Sequence, residues 1–271
     1  STNKLINPST NQPLMKLNLI KWKPMIAALP ITIGVVLLKI GVVHGLGYDG
    51  LVHFSEIDLV ITGGIFLIGF MLAGTLADYK ESEKIPAEMA AAIESIEDTV
   101  VLAHRFKGDF DLATQKRQLH EMTEAILNYY AHRETEAVVY QKIEELTSIA
   151  LHVEQTKIGS TSSWVKREQT NLRRFFSRTT VIKRTSFIAT GYAFLEVLTI
   201  VVICLLLITR FENFITGIIL VAFFTQIFIY MVRLIKDIDH PFEYPVNGRV
   251  RAADIDLFPL IEYHERAKRR L

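Results

Sequence analysis

The sequence predicts an all-α polytopic membrane protein with four transmembrane helices, two near each end of the chain, and a central cytoplasmic helical domain. Half of the 271 residues are hydrophobic and the mean hydropathy is +0.26, values that soluble domains rarely reach. The apolar residues are concentrated in four runs, each about 20 residues long, which is the helix length that crosses roughly 30 Å of hydrocarbon. The middle of the chain is instead charged and periodic in the manner of helices.

The four predicted spans follow a polar N-terminal segment, residues 1–24. That segment lacks the charged region, short apolar core and small-residue cleavage site of a removable signal peptide, so the first span is expected to remain in the protein. The spans are predicted at 25–46, 59–77, 187–209 and 214–235. They define two membrane regions, 25–77 and 186–236. Only residues 210–213 separate the last two spans, which indicates a hairpin of helices.

Basic residues flank one end of each span. They are Lys16, Lys21 and Lys23 before the first, Lys80 and Lys84 after the second, Arg178, Lys183 and Arg184 before the third, and Arg233 and Lys236 after the fourth. The positive-inside rule then places both termini and the central region in the cytoplasm, as in a multi-pass protein of the cell inner membrane or plasma membrane. Arg210, in the hairpin between the last spans, is the exception.

The central region, 78–185, is predicted to be a bundle of amphipathic helices. Apolar residues recur at three- and four-residue steps over 85–100, 119–130 and 143–153, and 164–178 is predicted as a further helix that leads into the membrane. Gly108 and a polar turn at 159–163 separate these helices. In the C-terminal segment, 237–271, Pro241, Pro245 and Gly248 indicate irregular structure before a short helix over 256–270.

Several short motifs carry a resemblance to a known family. They are the second span's FLIGFMLAG at 66–74 with Asp78-Tyr79, then EMAAAI at 88–93, LIKDIDHPF at 234–242 and Gly248-Arg249-Val250. Together they resemble the bestrophin-like membrane proteins of unknown function, distant relatives in layout of the bestrophin ion channels. The resemblance implies spans paired 2 + 2 around a cytoplasmic helical domain. It also implies a homo-oligomer, a pentamer by analogy, whose second spans line a pore that conducts mainly anions.

The resemblance implies a pore neck at Ile65, Ile68, Leu72 and Leu76. The sequence departs from bestrophins here, because aliphatic residues and glycine replace an aromatic-rich neck. The acidic run that follows Pro-Phe in calcium-gated members is also reduced to Glu243. Apolar side chains in a ring can gate a pore by dewetting. The small residues of the same span are equally typical of plain helix packing, so both interpretations stay open.

Charged residues at and inside the spans are further candidates. Asp78 and Glu81 would be repeated around the pore mouth of an oligomer, although a solvated helix start with glutamate near lysine explains them as well. Glu196 lies inside the third span, where a charge is costly and suggests a role in ion passage or subunit contact, unless a basic group near the interface pairs with it. Lys39, in the first span, either pairs with Glu196 or extends outward to water.

No catalytic, cofactor or metal site is predicted. His120, Glu121 and Glu124 do not form a zinc-binding helix motif and are expected on solvated faces. Asp237, Asp239 and Glu243 lack the spacing of a calcium loop, and Phe242 is expected to pack against the cytoplasmic domain. Cys204 is predicted to be a packing residue. The net charge of +1 gives no indication of nucleic-acid binding.

The predicted function is a passive, oligomeric ion channel, an anion channel by resemblance, whose partners are membrane lipid, inorganic ions and further copies of the chain. A cation channel of the same architecture is one alternative, because the charges near Asp78 have mixed signs. The other is a non-conducting scaffold or sensor that binds a partner through the central helices. An enzyme is disfavoured, because the sequence has no nucleophile motif and no phosphate-binding loop.

Overall fold

The computed structural model describes residues 14–45, 47, 50–157, 159, 161–185, 189–244, 251 and 253–271. The predictions for residues 1–13, the Lys16 and Lys21 side chains, Pro245 and residues 248–250 lie outside this part. The helices are α1 Leu14–Gly45, α2 Phe54–Ser82, α3 Ile85–Phe106, α4 Leu112–Tyr130, α5 Glu136–Gln155, α6 Thr161–Arg184, α7 Ala189–Ile208, α8 Phe214–Asp239 and α9 Phe258–Lys268. The strands β1 Val52–His53 and β2 Thr209–Arg210 complete the described elements.

The predicted fold class is confirmed. Four stretches are long and apolar enough to cross a membrane, lying in α1, in α2 with its continuation α3, in α7 and in α8. Helix α8 occupies the middle of this membrane bundle and packs against α1, α2 and α7. Their common core consists of aliphatic and aromatic side chains, among them Ile57, Ile61, Ile68, Leu195, Val202, Leu206, Val221 and Phe228.

Two short strands link the α1–α2 connection to the α7–α8 connection at one end of the bundle. This end is called the hairpin end below. β1 pairs with β2 in parallel, with Val52 opposite Thr209. Gly50 precedes β1 with a φ of +109°, and a Cβ there would lie 2.6 Å from the backbone nitrogen of Arg210, so this close approach requires glycine. The strands were not predicted, because two residues are too few to show a period.

A polar contact fastens α1 to α8 inside the bundle. Helix α1 contains Pro24 and Pro30, which remove backbone donors from the helix. The Gln226 side-chain amide of α8 donates to the backbone oxygen of Met25 at 2.9 Å, and the Thr32 hydroxyl donates to the Gln226 carbonyl oxygen at 2.6 Å. A hydrogen bond between helices in a membrane contributes about 1 kcal/mol. Gln226 therefore helps to fix the position of α1 along α8.

Helices α3, α4, α5, α6 and α9 form a second layer, called the extramembrane domain below. The predicted periodicity is confirmed, because the periodic residues of α3, α4 and α5 are buried in one core. Asp111 caps the start of α4 by accepting from the backbone nitrogen of Thr114 at 3.1 Å. The end of the bundle that faces this domain is called the domain end.

The C-terminal residues belong to the same core, although the sequence was divided there into a separate segment. Phe242, Leu257, Leu260 and Tyr263 are buried in the core of the extramembrane domain, which confirms the predicted packing of Phe242. Helix α9 lies against α3 and α4. Its short apolar face becomes informative only once the surface that it covers is known.

The predicted solvated position of His120 is wrong. The ring of His120, on α4, stacks on that of His264, on α9, with ring centroids 4.2 Å apart and planes 15° apart. Within the described residues, the Nδ1 atoms of both rings are buried without a hydrogen-bond partner. Burial lowers the pKa of His264 below its usual 6.5, and His120 and Lys268 lower it further while Glu124 and Glu265 oppose the shift. The folded protein therefore favours the neutral form of the His264 ring.

This histidine pair predicts a loss of stability in acid. Below a pH of about 6.5 His264 takes up a proton in the unfolded chain but resists it in the folded protein, because its folded pKa is lowered. The free energy of unfolding should therefore fall as the pH drops through about 6.5 toward the lowered value. The His264→Phe variant keeps a flat ring and should lose this pH dependence. Thermal unfolding between pH 5 and 8 measures it, with exposed His152→Asn as the control. An unchanged profile in His264→Phe would contradict the assignment.

Candidate functional site

One face of α2 is left uncovered by the rest of the subunit. Leu59, Phe66, Phe70, Ala73 and Ala77 follow one another at helical spacing and are all exposed. Phe66 and Phe70 keep 72% and 68% of their accessible surface. These five residues are called the α2 stripe below. It crosses the whole bundle, so it is the surface of this helix that a second helix, lipid or a pore can occupy.

The four predicted neck residues do not share this face. Ile68 is 2% exposed and lies in the membrane core against α7 and α8. Leu72 is half-buried against the same core, and Ile65 and Leu76 are exposed on one flank of the stripe. Ile68 cannot line a passage between subunits in this arrangement, because its side chain is already enclosed within one subunit.

Phe66 and Phe70, the two aromatic residues of the α2 stripe, are not among the predicted neck residues. A pore neck of aliphatic residues was expected, whereas the most exposed large side chains near the middle of α2 are aromatic. One sequence feature could have indicated that Phe66 and Phe70 are exposed. Gly64, Ile68 and Met71 recur at helical spacing, and this row is the packed face of α2. In a helix the residues two positions away from such a row lie on the opposite side.

Gly64 marks the packed face of α2. A Cβ at Gly64 would lie 2.9 Å from the Cε1 and Cζ atoms of Phe228, which is wholly buried on α8. At the neighbouring Gly63 nothing lies within 4 Å of an added Cβ. Only one of the two glycines is therefore needed for the close approach of α2 and α8.

The stripe ends at a group of charged residues where α2 leaves the membrane bundle. The Arg178 guanidinium of α6 donates from Nε to Glu81 Oε1 at 3.0 Å and from Nη2 to Glu81 Oε2 at 2.8 Å. The same guanidinium lies 3.6 Å from Asp78 Oδ1. Both predicted mouth carboxylates therefore share one arginine that follows Glu81 by 97 residues in the chain.

The remaining charges of this group also balance. Lys80 Nζ lies 2.8 Å from Glu83 Oε2, the helical glutamate–lysine pairing that the sequence had predicted. Lys84 follows, exposed. Three carboxylates thus face three cationic side chains. A small polar cavity of about 50 Å³ lies behind them, with buried Asp239 in its wall.

Glu196 pairs with a lysine of the next helix. Its carboxylate accepts a hydrogen bond from Lys236 Nζ, near the domain end of α8. Of the two explanations for a charge at Glu196, the structure shows the second: a basic group near the interface pairs with it. A paired charge at this level has no need of a neighbouring subunit or a passing ion to stabilise it.

Lys39 neither pairs with Glu196 nor extends outward. It is 3% exposed, and its Nζ donates to the backbone oxygens of Leu207 at 2.8 Å and Thr209 at 2.6 Å. Leu207 lies in the last turn of α7, where carbonyls have no partner within the helix, and Thr209 follows the helix as the first residue of β2. Phe211 covers the ammonium, with its ring centroid 5.5 Å from Nζ. Lys39 therefore caps α7 from the neighbouring helix, on one wall of a cavity of about 280 Å³.

The acidic residues after α8 are held by an arginine. Arg251 contacts Asp254 at 2.9 Å, Glu243 at 3.2 Å and Asp237 at 3.9 Å, and donates to the backbone oxygen of His240 at 2.6 Å. One guanidinium thus contacts all three carboxylates. Among the described residues no group of three or more histidine, cysteine or acidic side chains is arranged to hold a metal ion. Cys204, predicted to be a packing residue, is exposed on α7 instead.

The geometry defines a class of protein: a multi-pass membrane protein whose second span carries an uncovered stripe that ends in a balanced charge cluster. No protein-family model matches the chain, and no curated protein matches its sequence. Among solved structures it is similar to a bacterial bestrophin homologue from Klebsiella pneumoniae. A variant of that homologue matches with a TM-score of 0.64 and 12% identity, over 91% of this chain and 96% of the other.

Two further structures of the same homologue are similar to this chain to the same degree. Another variant has a TM-score of 0.68 at 12% identity, covering 90% of this chain and 97% of its own. A third structure has a TM-score of 0.66 at 12% identity, with 90% and 95% covered. The chain therefore has the bestrophin fold. The resemblance carried by the sequence motifs is confirmed for the fold.

Proposed function

We propose that this protein is a passive, homo-oligomeric ion channel whose pore is lined by the α2 stripe. The observation that carries the proposal is the stripe itself, since Phe66 and Phe70 face away from the subunit at the middle of a membrane-spanning helix. Around a symmetry axis, a ring of such residues makes an apolar constriction that opens or closes by wetting. The bestrophin fold supports assembly around α2, and we propose a pentamer by analogy.

The small residues of the stripe suit a pore that widens from the rings toward the domain end. Ala73 and Ala77 follow Phe70 toward the domain end and are exposed, so their methyl groups would leave more room than the phenyl rings above them. Ile65 and Leu76, on the flank of the stripe, would contact the neighbouring α2 in such a ring. Ile68 is left out of the proposed lining because it is buried within its own subunit.

Anion conduction is the proposed selectivity. The carboxylates at the mouth, Asp78 and Glu81, both contact Arg178, and Lys84 beside them completes the charge balance, which weakens the argument for a cation channel. The apolar neck favours ions that shed water readily. Inorganic anions such as chloride are the proposed substrates, and membrane lipid surrounds the assembly.

The proposed orientation places the domain end in the cytoplasm. Basic side chains concentrate there, among them Lys23, Lys80, Lys84, Lys183, Arg184, Arg233 and Lys236, whereas the hairpin end carries Glu56, Asp58 and Glu212 with Arg210. The positive-inside rule then assigns both termini and the extramembrane domain to the cytoplasmic side of an inner or plasma membrane.

Ion flux from liposomes that contain the purified protein tests the proposed function. Chloride and potassium gradients are imposed separately on the wild type and on Phe70→Ala, which removes the ring from the proposed constriction. We expect chloride flux in the wild type and about a tenfold increase in the variant, equivalent to a barrier lower by about 1.4 kcal/mol. Phe194→Ala is the matched control, because Phe194 is similarly exposed but lies on α7.

Silence in both gradients, with folded and oligomeric protein, would contradict the channel. Equal effects of the two phenylalanine variants would contradict the α2 lining. Silence would favour a scaffold that binds a partner through the extramembrane domain. That alternative has some support, since Phe106 at the end of α3 and Trp164 at the start of α6 are exposed apolar side chains far from the bundle.

A further inference from the structure

We infer that Arg178 is the specificity-determining residue of the pore mouth: its guanidinium pairs with both carboxylates at the end of α2, completes the charge balance there and so prevents the mouth from attracting cations. The inference rests on the proposed function and extends it to a residue outside the membrane bundle. Arg178 lies on α6 in the extramembrane domain, so the charge at the mouth depends on how this domain docks against α2.

The contacts of Arg178 are specific to this pair of carboxylates. Two parallel hydrogen bonds hold the Glu81 carboxylate, at 3.0 and 2.8 Å, and Asp78 lies within 3.6 Å of the same group. This two-point geometry fits the fork of an arginine and not the single ammonium of a lysine. No other cationic side chain is shown in an ion pair with Asp78 or Glu81 in the described part of the chain.

The neighbouring charges cannot replace Arg178. Lys80 is already paired with Glu83. Asp239, in the wall of the same small cavity, is buried and adds no positive charge. Without Arg178, Asp78 and Glu81 would face only Lys84. The mouth would then carry about one additional negative charge per subunit, repeated around the axis of the oligomer.

The electrostatic consequence is large enough to measure. Charges that surround a mouth act together on an ion within about 8 Å, the screening length at physiological salt. The contribution of the pair to stability is small by contrast. The Arg178 and Glu81 side chains are 38% and 52% exposed, and ion pairs this exposed to water contribute little to stability. The variants are therefore expected to fold.

The test is the reversal potential of the reconstituted protein across a potassium chloride gradient, which reports the permeability of potassium relative to chloride. In Arg178→Gln we expect this ratio to rise by about threefold or more because the carboxylates are unmasked. Arg178→Lys loses the two-point geometry but keeps the positive charge, so its ratio should lie closer to the wild type than that of Arg178→Gln. Removing the freed carboxylate as well, in Glu81→Gln with Arg178→Gln, should bring the ratio back toward the wild type.

The matched control is Arg184→Gln. Arg184 lies on the same helix and pairs with Glu136 of α5, so its loss removes one positive charge without freeing a carboxylate of α2. An unchanged ratio in Arg178→Gln, or an equal shift in Arg184→Gln, would overturn the inference while leaving a conducting wild type as a channel. A wild type that passes neither ion would overturn the proposed function and, with it, the inference.

Discussion

Replacing Lys39 with methionine is expected to destabilise the protein by about 2–6 kcal/mol, because it removes the donor to one buried and one partly buried carbonyl, at about 1–3 kcal/mol each. Lys39 Nζ is the donor to both Leu207 and Thr209. Its positive charge at the C-terminal end of α7 also favours the helix dipole. Methionine has a similar length and no donor, so the packing changes less than the hydrogen bonding.

Thermal unfolding of the detergent-solubilised protein measures this effect. A loss of this size lowers the Tm by roughly 5–10 °C in a chain of this length. Arg210→Gln is the control, since Arg210 is exposed nearby on β2 and loses the same charge without uncovering buried carbonyls. A Tm of Lys39→Met within a degree or so of the control would show that water or another side chain takes over the cap.

The neighbouring glycines of α2 are expected to differ sharply when each is replaced by valine. Gly64→Val should cost about 1–3 kcal/mol, the usual range for overpacking a filled core, because its Cβ would lie 2.9 Å from the buried ring of Phe228. Gly63→Val places the same side chain in space that the subunit leaves open. The intrinsic helix preference of valine is the same in both variants and cancels in the comparison.

The Tm of both variants is measured together with their elution volume, which reports the oligomeric state. A loss of Tm in Gly64→Val alone would establish which face of α2 is packed against α8. Equal losses would contradict this assignment. A change of elution volume in Gly63→Val alone would indicate that the open face meets another subunit and would bear directly on the proposed assembly.

The sequence was sufficient for the architecture because two strong constraints are visible in it. Hydrocarbon thickness imposes apolar runs of about 20 residues, and these predict the spans of α1, α2, α7 and α8. Water on one side and a core on the other impose the periodicity of α3, α4 and α5. Both patterns are local in the sequence, so the helices can be located without knowing which other helices pack against them.

The faces of the membrane helices could not be predicted in the same way. Lipid and protein core both accept apolar side chains, so Ile68, which is packed, and Phe66, which is uncovered, look alike in the sequence. The sequence therefore could not show that Ile68, one of the predicted neck residues, lies on the packed side of α2. Contact between α2, α7 and α8 decides this point, and it depends on residues more than a hundred positions apart.

The sequence by itself determined the number of spans, the helical domain between them and the residues that carry charge. Only the tertiary structure decided which partner each charge has. Arg178 reaches Glu81, Lys39 reaches the end of α7, and His120 meets His264. The physical reason is that a helix pattern reports the distribution of apolar and polar side chains along one element, whereas these partners are set by the packing of elements that are distant in the chain.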